Sequence, residues 1–348
     1  DFHHSALPSY DIFEWENPID SSCIQPSDWV RLCQQISSNY YKYDGFIILH
    51  GTDTMSYTAS ALSFMLENLS KPVVLTGAQI PIGEVFNDAK NNLIASLCVA
   101  GQCQICEVCL MFNNKLLRGN RSTKFDAWHQ DAFTSPNFPP LGVFGIELEM
   151  EEEYFIAAPK QRFKTHLKLF NNIIVIWLIP GFNSDLLRGL IESDDEIAIV
   201  LAFYGISNGS AALKLYDLLK DAKQKHKKEI VLMSQCSKGH VDIYAANTMT
   251  TNTVHSEQQK NGGIVAEEQE VEEKQDAEKE QAAKSEADNV FEQLMGLQQV
   301  NAINAHDMTV EAVVAKLSFL MGQGLRGDAL KQLFESNLRG EMTSLSEV

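Results

Sequence analysis

The sequence has 348 residues, of which 45% are hydrophobic, 28 are Lys or Arg and 46 are Asp or Glu, so its formal net charge is −18. This hydrophobic fraction suffices for a buried core and excludes a wholly disordered chain, and the length predicts about two domains. Nucleic acids and anionic membranes are polyanions that bind through Lys and Arg, so the acidic balance argues against both as partners. We therefore expect a small molecule or another protein as the partner.

Seven cysteines are spread unevenly along the chain, and their odd number does not fit the disulfide framework of a small secreted domain. The sequence has no apolar run of about 18 residues and no signal pattern at its start, so we expect a cytoplasmic location and no membrane span. The spacing of Cys98, Cys103, Cys106 and Cys109 is similar to a cluster-binding motif. Because Cys106 and Cys109 would point to opposite faces of a strand, buried hydrophobic roles are favoured, with no metal and no cofactor.

The first half of the chain alternates predicted strands and helices. The strands are 45–49, 72–77 and 106–112, one helix follows residue 54, and another spans 88–100. This alternation predicts a parallel sheet built from βαβ units. Ligands bind at the carboxyl ends of such strands, where the sequence places 50–54 and 76–81.

A second, shorter alternation predicts a smaller α/β domain. Its strands are 172–177, 197–201 and 229–233, and its helices are 184–191 and 210–224. With a boundary at about residue 160, the chain divides into an amino-terminal domain, 1–160, and a carboxy-terminal domain, 161–348. The predicted fold class is α/β, with the larger parallel sheet in the amino-terminal domain.

An insertion at about 250–300 interrupts the second domain, and its composition differs from the rest of the chain. Residues 266–288 contain ten acidic residues and three lysines, with Val271 as the single larger aliphatic residue. Glu and Lys three or four residues apart favour a solvated helix or a disordered charged segment. Docking of a basic partner is the less favoured alternative.

Two polar clusters are candidates for chemistry. His50-Gly51-Thr52-Asp53-Thr54 follows a strand and opens a helix, where free backbone N–H groups favour an anion. Thr and Asp also suit a helix N-cap, so function and capping both remain open. Residues 118–124 place three cations in seven residues, either as an exposed loop or as an anion-binding segment. A lysine buried beside a carboxylate and a threonine would polarise the hydroxyl, but spacing alone does not establish that contact.

At these residues the sequence resembles the type I, bacterial-style L-asparaginases. The resemblance rests on residues 43–81, which contain HGTDT and TGAQIP, and on RGNRSTK at 118–124. Shorter matches are Asp20-Ser21-Ser22, Asn113-Asn114, 133–137, 204–205, 234–236, 307–312 and 337–341. The resemblance covers nearly the whole chain except the insertion. It implies a two-domain α/β amidohydrolase, homodimeric or homotetrameric, that converts L-asparagine to L-aspartate and ammonia without a metal.

The resemblance also implies roles for individual residues. Thr52, Asp53 and Lys124 correspond to a catalytic Thr-Asp-Lys set. The implied substrate-binding residues are Asp20, Ser21 and Ser22 at the α-carboxylate and amine, Asp53 at the α-ammonium, Thr52 as a backbone oxyanion donor, Ala78 as acceptor for the leaving amide, and Asn208, which reaches a neighbouring subunit's site. Ser21 is the best carboxylate donor among them.

Two features depart from the family pattern. The usual nucleophile is a threonine in an amino-terminal TGGTI-type motif, and these 348 residues do not contain that motif. We therefore expect the chain to begin beyond the motif and, as it stands, to have little or no asparaginase activity. Ala202 occupies a position where regulated bacterial enzymes tend to carry an arginine, so we do not expect inherited regulation by asparagine.

Two other functions remain open. One is the amidase subunit of a tRNA-dependent amidotransferase, which shares the fold and the threonines, although the acidic charge offers no obvious RNA-binding face. The other is a catalytically inactive asparagine-binding or scaffold module. Binding of asparagine without turnover would favour the inactive module, whereas a requirement for tRNA or a partner subunit would favour the amidotransferase.

Overall fold

The computed structural model describes residues 7–146, 148–205, 215–241 and 300–343. The chain divides into two compact units, Asp1–Ile173 with His306–Val348, and Ile174–Ala305. The predicted substrate residue Asn208 and the acidic segment 266–288 lie outside the described residues. The division into folding domains 1–160 and 161–348 stays a prediction.

The first unit is built on a six-stranded sheet. In spatial order its strands are β1 (Phe46–Leu49), β3 (Val73–Thr76), β4 (Val108–Phe112), β5 (Lys115–Arg118), β8 (Gly142–Phe144) and β9 (Leu148–Met150). Two short pairs accompany it, β2 (Leu66–Glu67) with β10 (Lys164–Thr165), and β6 (Thr123–Lys124) with β7 (Phe133–Thr134).

This sheet changes from parallel to antiparallel at a two-residue turn. Strands β1, β3 and β4 pair in parallel, whereas β4, β5, β8 and β9 pair antiparallel. Asn113 and Asn114 join β4 to β5 with φ angles of 46° and 61°. A tight hairpin needs this left-handed backbone, which asparagine tolerates. The predicted α/β class is confirmed, and the parallel part of the sheet is the part that carries the predicted ligand-binding edge.

The helices of the first unit are α1 (Pro26–Asn39), α2 (Met55–Met65), α3 (Ala89–Gln102), α6 (Val310–Gly322) and α7 (Gly327–Phe334). Helix α2 is buried at every residue except Tyr57, because small and apolar side chains surround its whole circumference. It packs against α6, where the rings of Phe64 and Phe319 stack with centroids 6.0 Å apart. The polar segment that opens α2 is therefore attached to the core of the unit.

The second unit contains a four-stranded sheet. Its strands in order are β11 (Ile173–Trp177), β12 (Ala198–Phe203), β13 (Glu229–Ser234) and β14 (Ile303–Asn304). Strand β12 pairs in parallel with β13, and β13 with β14. Helices α4 (Asp185–Ile191) and α5 (Leu215–Gln224) contribute Leu187 and Leu219 to the same hydrophobic core. Because β12 is buried along its whole length, it has the continuous apolar sequence typical of a parallel strand covered on both faces.

The carboxy-terminal segment belongs to the first unit, since the chain after Ala305 clusters with residues 1–173. Helices α6 and α7 therefore complete the unit that the amino-terminal residues begin. None of the helices in the described ranges is long and apolar enough to cross a bilayer.

Candidate active site

The candidate site lies where two parallel strands end side by side. Leu49 of β1 is in register with Thr76 of β3, and the His50 N–H donates to the Thr76 carbonyl oxygen at 2.8 Å. A Cβ atom on Gly77 would lie 2.1 Å from the carbonyl oxygen of His50, so the close approach of the two chains depends on glycine. The polar residues that follow β1 and β3 therefore lie together at the sheet edge that the sequence predicts to bind ligands.

Lys124 joins the residues of the predicted catalytic set. Its Nζ donates to Thr52 Oγ1 at 2.9 Å and to Asp53 Oδ1 at 2.7 Å, although the residues are 72 and 71 positions apart. Pairing of β6 with β7 fixes the Lys124 backbone. The Lys124 side chain is 19% exposed and that of Asp53 is 60% exposed. The ammonium is thus the more buried partner of an ion pair that opens to the surface.

Ser21 lies against the same segment. It begins a short 3₁₀ turn, Ser21–Cys23, and its Oγ accepts a hydrogen bond from the Asp53 N–H at 3.3 Å. The Thr54 hydroxyl donates to the Ser21 carbonyl oxygen at 2.6 Å. A Cβ atom on Gly51 would lie 2.5 Å from Ser21 Oγ, so glycine at 51 lets the two segments touch.

Asp20 and Ser22 bond mainly to each other. Asp20 Oδ1 accepts the Ser22 N–H at 2.9 Å and the Ser22 hydroxyl at 2.8 Å. These hydrogen bonds lower the pKa of Asp20, because they stabilise its charged form. Since the Ser22 hydroxyl is used by Asp20, Ser21 is the better placed of the two serines to donate to a ligand.

Buried polar side chains fix the backbone of residues 76–81, the segment that contains Ala78. The Gln79 N–H donates to Asp88 Oδ2 at 3.0 Å, and Asn92 Nδ2 donates to the Gly77 carbonyl oxygen at 2.9 Å. Both Asp88 and Asn92 are buried at the start of α3. The backbone of half-buried Ala78 is therefore fixed on both sides.

A neutral histidine, His50, supports the HGTDT segment at residues 50–54. His50 Nδ1 lies 2.6 Å from the Gly51 carbonyl oxygen, which can only accept, so Nδ1 carries the proton. His50 Nε2 then accepts from the Thr58 hydroxyl at 2.9 Å, and Trp29 Nε1 donates to the same hydroxyl oxygen at 3.0 Å. Burial lowers the pKa of His50, which favours the uncharged ring that this arrangement needs.

Comparison with known proteins places the chain in a family. L-asparaginase 1 of Escherichia coli (strain K12) is 35% identical to it over 343 residues, which are 99% of this chain and 88% of that protein. The chain belongs to the asparaginase family. A family model for the amino-terminal domain of asparaginases matches residues 5–155. The crystal structure of L-asparaginase I from Vibrio cholerae O1 biovar eltor str. N16961 superposes with a TM-score of 0.79 at 36% identity, covering 99% of this chain and 89% of that one.

Relatives with other names also match. The 60 kDa lysophospholipase of Mus musculus is 35% identical over 96% of this chain and 51% of that protein. A glutamyl-tRNA(Gln) amidotransferase subunit from Thermoplasma acidophilum is 26% identical over 92% of this chain and 67% of that protein. The resemblance to type I L-asparaginases is thus confirmed, and the amidotransferase protein is the more distant relative.

The two arginines of residues 118–124 do not reach the site of this asparaginase-family chain. Arg118 pairs with Glu107 at 2.5 Å between Nε and Oε2, and Arg121 pairs with Asp307 at 3.0 Å between Nη1 and Oδ2. Both arginines are buried. The segment is therefore neither an exposed loop nor an anion-binding site, and Lys124 alone of its three cations bonds to the site residues.

The cysteine spacing does not produce a reactive or metal-binding cluster in the asparaginase-family fold. Burial raises the pKa of the thiols of Cys98, Cys103, Cys106 and Cys109, so they stay protonated at neutral pH. Within the residues that the structure describes, no group of three or more His, Cys, Asp or Glu side chains is arranged to hold a metal.

Sequence reasoning missed three residues of this site, Gln79, Asp88 and Asn92. Gln79 Oε1 accepts a hydrogen bond from the Thr52 hydroxyl at 3.1 Å. Its position directly after Ala78, at a strand end, is a signal that could have marked it. Asp88 and Asn92 lie one turn apart, and their spacing indicated only a helix start.

A cavity of about 230 Å³ elsewhere in the first unit is lined by other residues, among them Glu107 and Arg339.

Proposed function

We propose that the site of this chain serves the hydrolysis of the side-chain amide of L-asparagine to L-aspartate and ammonia. The observation that carries the proposal is the ammonium of Lys124 bonded to both the Thr52 hydroxyl and the Asp53 carboxylate. A lysine in this position moves protons to and from a threonine hydroxyl. The relatives named L-asparaginase, which match the chain over most of their length, support the same reaction.

The binding end of the site suits a free amino acid. The Ser21 Oγ accepts from Asp53 N–H, so its own proton is left to donate to the α-carboxylate. Asp53 uses Oδ1 for Lys124, and its second oxygen accepts from the α-ammonium. Because both α-substituents are paired, a peptide-bound asparagine leaves polar groups of the site without partners and is selected against.

Lys124 accepts and later donates the proton that moves in the reaction. A hydroxyl oxygen attacks the amide carbon, and its proton passes to Lys124, which accepts it as the uncharged amine while its two N–H groups donate to Thr52 and Asp53. The backbone N–H of Thr52 stabilises the oxyanion, and the Ala78 carbonyl accepts from the amide nitrogen. When the C–N bond breaks, the nitrogen takes the proton from Lys124 and leaves as ammonia. Water then hydrolyses the acyl ester by the same path in reverse.

The attacking hydroxyl is assigned by the family resemblance and not by a residue that the structure describes. In the family it belongs to the threonine of the TGGTI-type motif, which is not among the 348 residues. Residues 1–348 are therefore expected to bind L-aspartate but to hydrolyse L-asparagine poorly. Activity is measured on the protein expressed from its natural gene.

The decisive experiment is the Lys124→Met variant of that protein. We expect kcat for ammonia release to fall by roughly 10²–10⁴, the usual range for loss of a proton-transferring group. The KM changes less, because Lys124 does not hold the α-substituents. Lys115→Met is the matched control, since Lys115 also pairs with an aspartate, at 2.8 Å from Asp131, outside the site.

Three results contradict the proposal. Full activity of Lys124→Met removes the proton-transfer role. Binding of L-asparagine by calorimetry with no ammonia release by the wild-type protein identifies an inactive binding module. Ammonia release that requires tRNA or a partner subunit identifies the amidotransferase function.

The assembly and location belong to the same proposal. The family resemblance implies a homodimer or homotetramer in which Asn208 reaches a neighbouring subunit's site, and a cytoplasmic location. The mass of the purified protein by light scattering distinguishes the dimer from the tetramer.

A further inference from the structure

The Thr52 hydroxyl makes hydrogen bonds to two side chains, those of Lys124 and Gln79. The Lys124 ammonium has donors and no acceptor, so Thr52 Oγ1 must accept from it. The Thr52 proton then points to a second neighbour, and Gln79 Oε1 lies 3.1 Å away. The structure therefore contains a directed chain of hydrogen bonds from Lys124 through Thr52 to Gln79.

The orientation of the Gln79 carboxamide is fixed by its other end. Gln79 Nε2 lies 3.1 Å from the His129 carbonyl oxygen, which only accepts. The amide nitrogen must therefore face His129, and the amide oxygen must face Thr52. The Gln79 backbone N–H is held by Asp88, so side chain and main chain are both anchored.

We infer that Gln79 is a positioning residue for Thr52: it accepts the hydroxyl proton and so keeps the Oγ1 lone pair directed at Lys124. A carboxamide oxygen is too weak a base to remove the proton, so Gln79 orients the hydroxyl without taking part in proton transfer. The inference deepens the proposed function and rests on it, because it assigns a role within the same site.

Gln79 is anchored by an exposed turn at residues 126–129. Asp126 Oδ1 accepts the Trp128 and His129 N–H groups at 2.7 and 2.8 Å, and this turn presents the His129 carbonyl oxygen to Gln79. The Trp128 side chain is 88% exposed. The orientation of Thr52 thus depends on a surface turn outside the catalytic set.

The Gln79→Met variant tests the inference, because methionine has similar length, has no donor at its end and accepts only weakly through its sulfur. We expect kcat to fall about tenfold, the effect of roughly one lost hydrogen bond, with KM within about twofold since Gln79 does not bind the α-substituents. Gln323→Met is the matched control. Gln323 Nε2 also donates to a backbone carbonyl, that of Lys168 at 3.1 Å, away from the site.

A readout that needs no activity keeps the inference separate from the proposed function. Three-bond couplings of the Thr52 methyl carbon report its χ1 rotamer by NMR. We expect one rotamer in the wild type and rotamer averaging in Gln79→Met. A single unchanged rotamer in Gln79→Met, or an unchanged kcat, overturns the inference. Absence of amide hydrolysis in the wild type overturns the proposed function instead, and the couplings still decide the role of Gln79.

Discussion

At the scale of single residues, the site depends on close approaches that only glycine permits. Gly77 lets β3 end against the His50 carbonyl oxygen, and Gly51 lets the HGTDT segment touch Ser21. Neither contact has room for a methyl group. The order of residues in the two motifs is therefore a packing requirement as much as a chemical one.

The Gly77→Ala variant tests this requirement. Its Cβ would lie 2.1 Å from the His50 carbonyl oxygen and 2.9 Å from Met55 Cε, so the backbone must shift at a cost of about 1–3 kcal/mol in the free energy of unfolding. Gly83→Ala is the control, since its Cβ would meet nothing within 4 Å. We expect thermal denaturation to show a lower Tm for Gly77→Ala only. Equal Tm values for the two variants would mean that the approach is not tight.

At the scale of elements, the β3–α3 connection is held by the helix that follows it. Asn92 of α3 donates to the Gly77 carbonyl oxygen and accepts the Asn113 N–H at 3.0 Å. One buried amide therefore links the loop of the site to the turn between β4 and β5. The position of Ala78 follows from the packing of α3, not from its neighbours in sequence alone.

Replacing Asn92 with leucine removes this link and keeps a branched side chain of similar shape. The half-buried Gly77 and Asn113 backbone groups and the Asp88 carboxylate then lose this partner, so we expect a loss of about 2–4 kcal/mol in the free energy of unfolding from two or three unmade hydrogen bonds. The kcat falls as well, because the Ala78 carbonyl is no longer fixed. Asn87→Leu is the control, since Asn87 bonds to near neighbours in sequence, among them the Glu84 carbonyl oxygen and the Lys90 N–H. Urea unfolding and ammonia release measure both effects, and wild-type kcat in Asn92→Leu would refute the link.

The sequence predicts elements well where the hydrophobic periodicity agrees with the glycine, proline and polar residues that end an element. Strand β1 and strand β3 lie within one residue of their predicted bounds, and the site lies at their predicted ends. The roles of Arg118 and Arg121 were not predictable, because their partners include Gly340 and Glu341, more than 200 positions away. The antiparallel half of the sheet was missed because the Asn113-Asn114 signal was not interpreted as a hairpin turn.

At the scale of the whole molecule, the first unit is completed by the end of the chain. Arg121 donates to Asp307 and to the Glu341 carbonyl oxygen, and Thr123, next to Lys124, donates to Glu311 Oε1 at 2.7 Å. The strand that carries Lys124 is therefore supported by residues of the carboxy-terminal segment. Changes there are expected to reach the site through β6.

A buried ion pair inside the carboxy-terminal segment provides the test at this scale. Lys316 of α6 pairs with Glu341, both side chains are 0% exposed, and Lys316 Nζ also donates to the Ser336 carbonyl oxygen at 2.6 Å. Burial lowers the pKa of Lys316, so its charge depends on the carboxylate beside it. Glu341 in turn accepts the backbone N–H groups of Leu338 and Arg339.

Lys316→Met leaves the Glu341 carboxylate buried without its counter-ion, and we expect a loss of about 3–5 kcal/mol in the free energy of unfolding. Adding Glu341→Gln removes the stranded charge but keeps an acceptor for Leu338 and Arg339, so the double variant is more stable than Lys316→Met alone. Lys225→Met is the control, because its ion pair with Asp221 is exposed on both sides and contributes under about 1 kcal/mol. Urea unfolding of the wild type, Lys316→Met, Glu341→Gln and the double variant measures the coupling. A double variant less stable than Lys316→Met would show that the loss comes from packing of the lysine stem and not from the isolated charge.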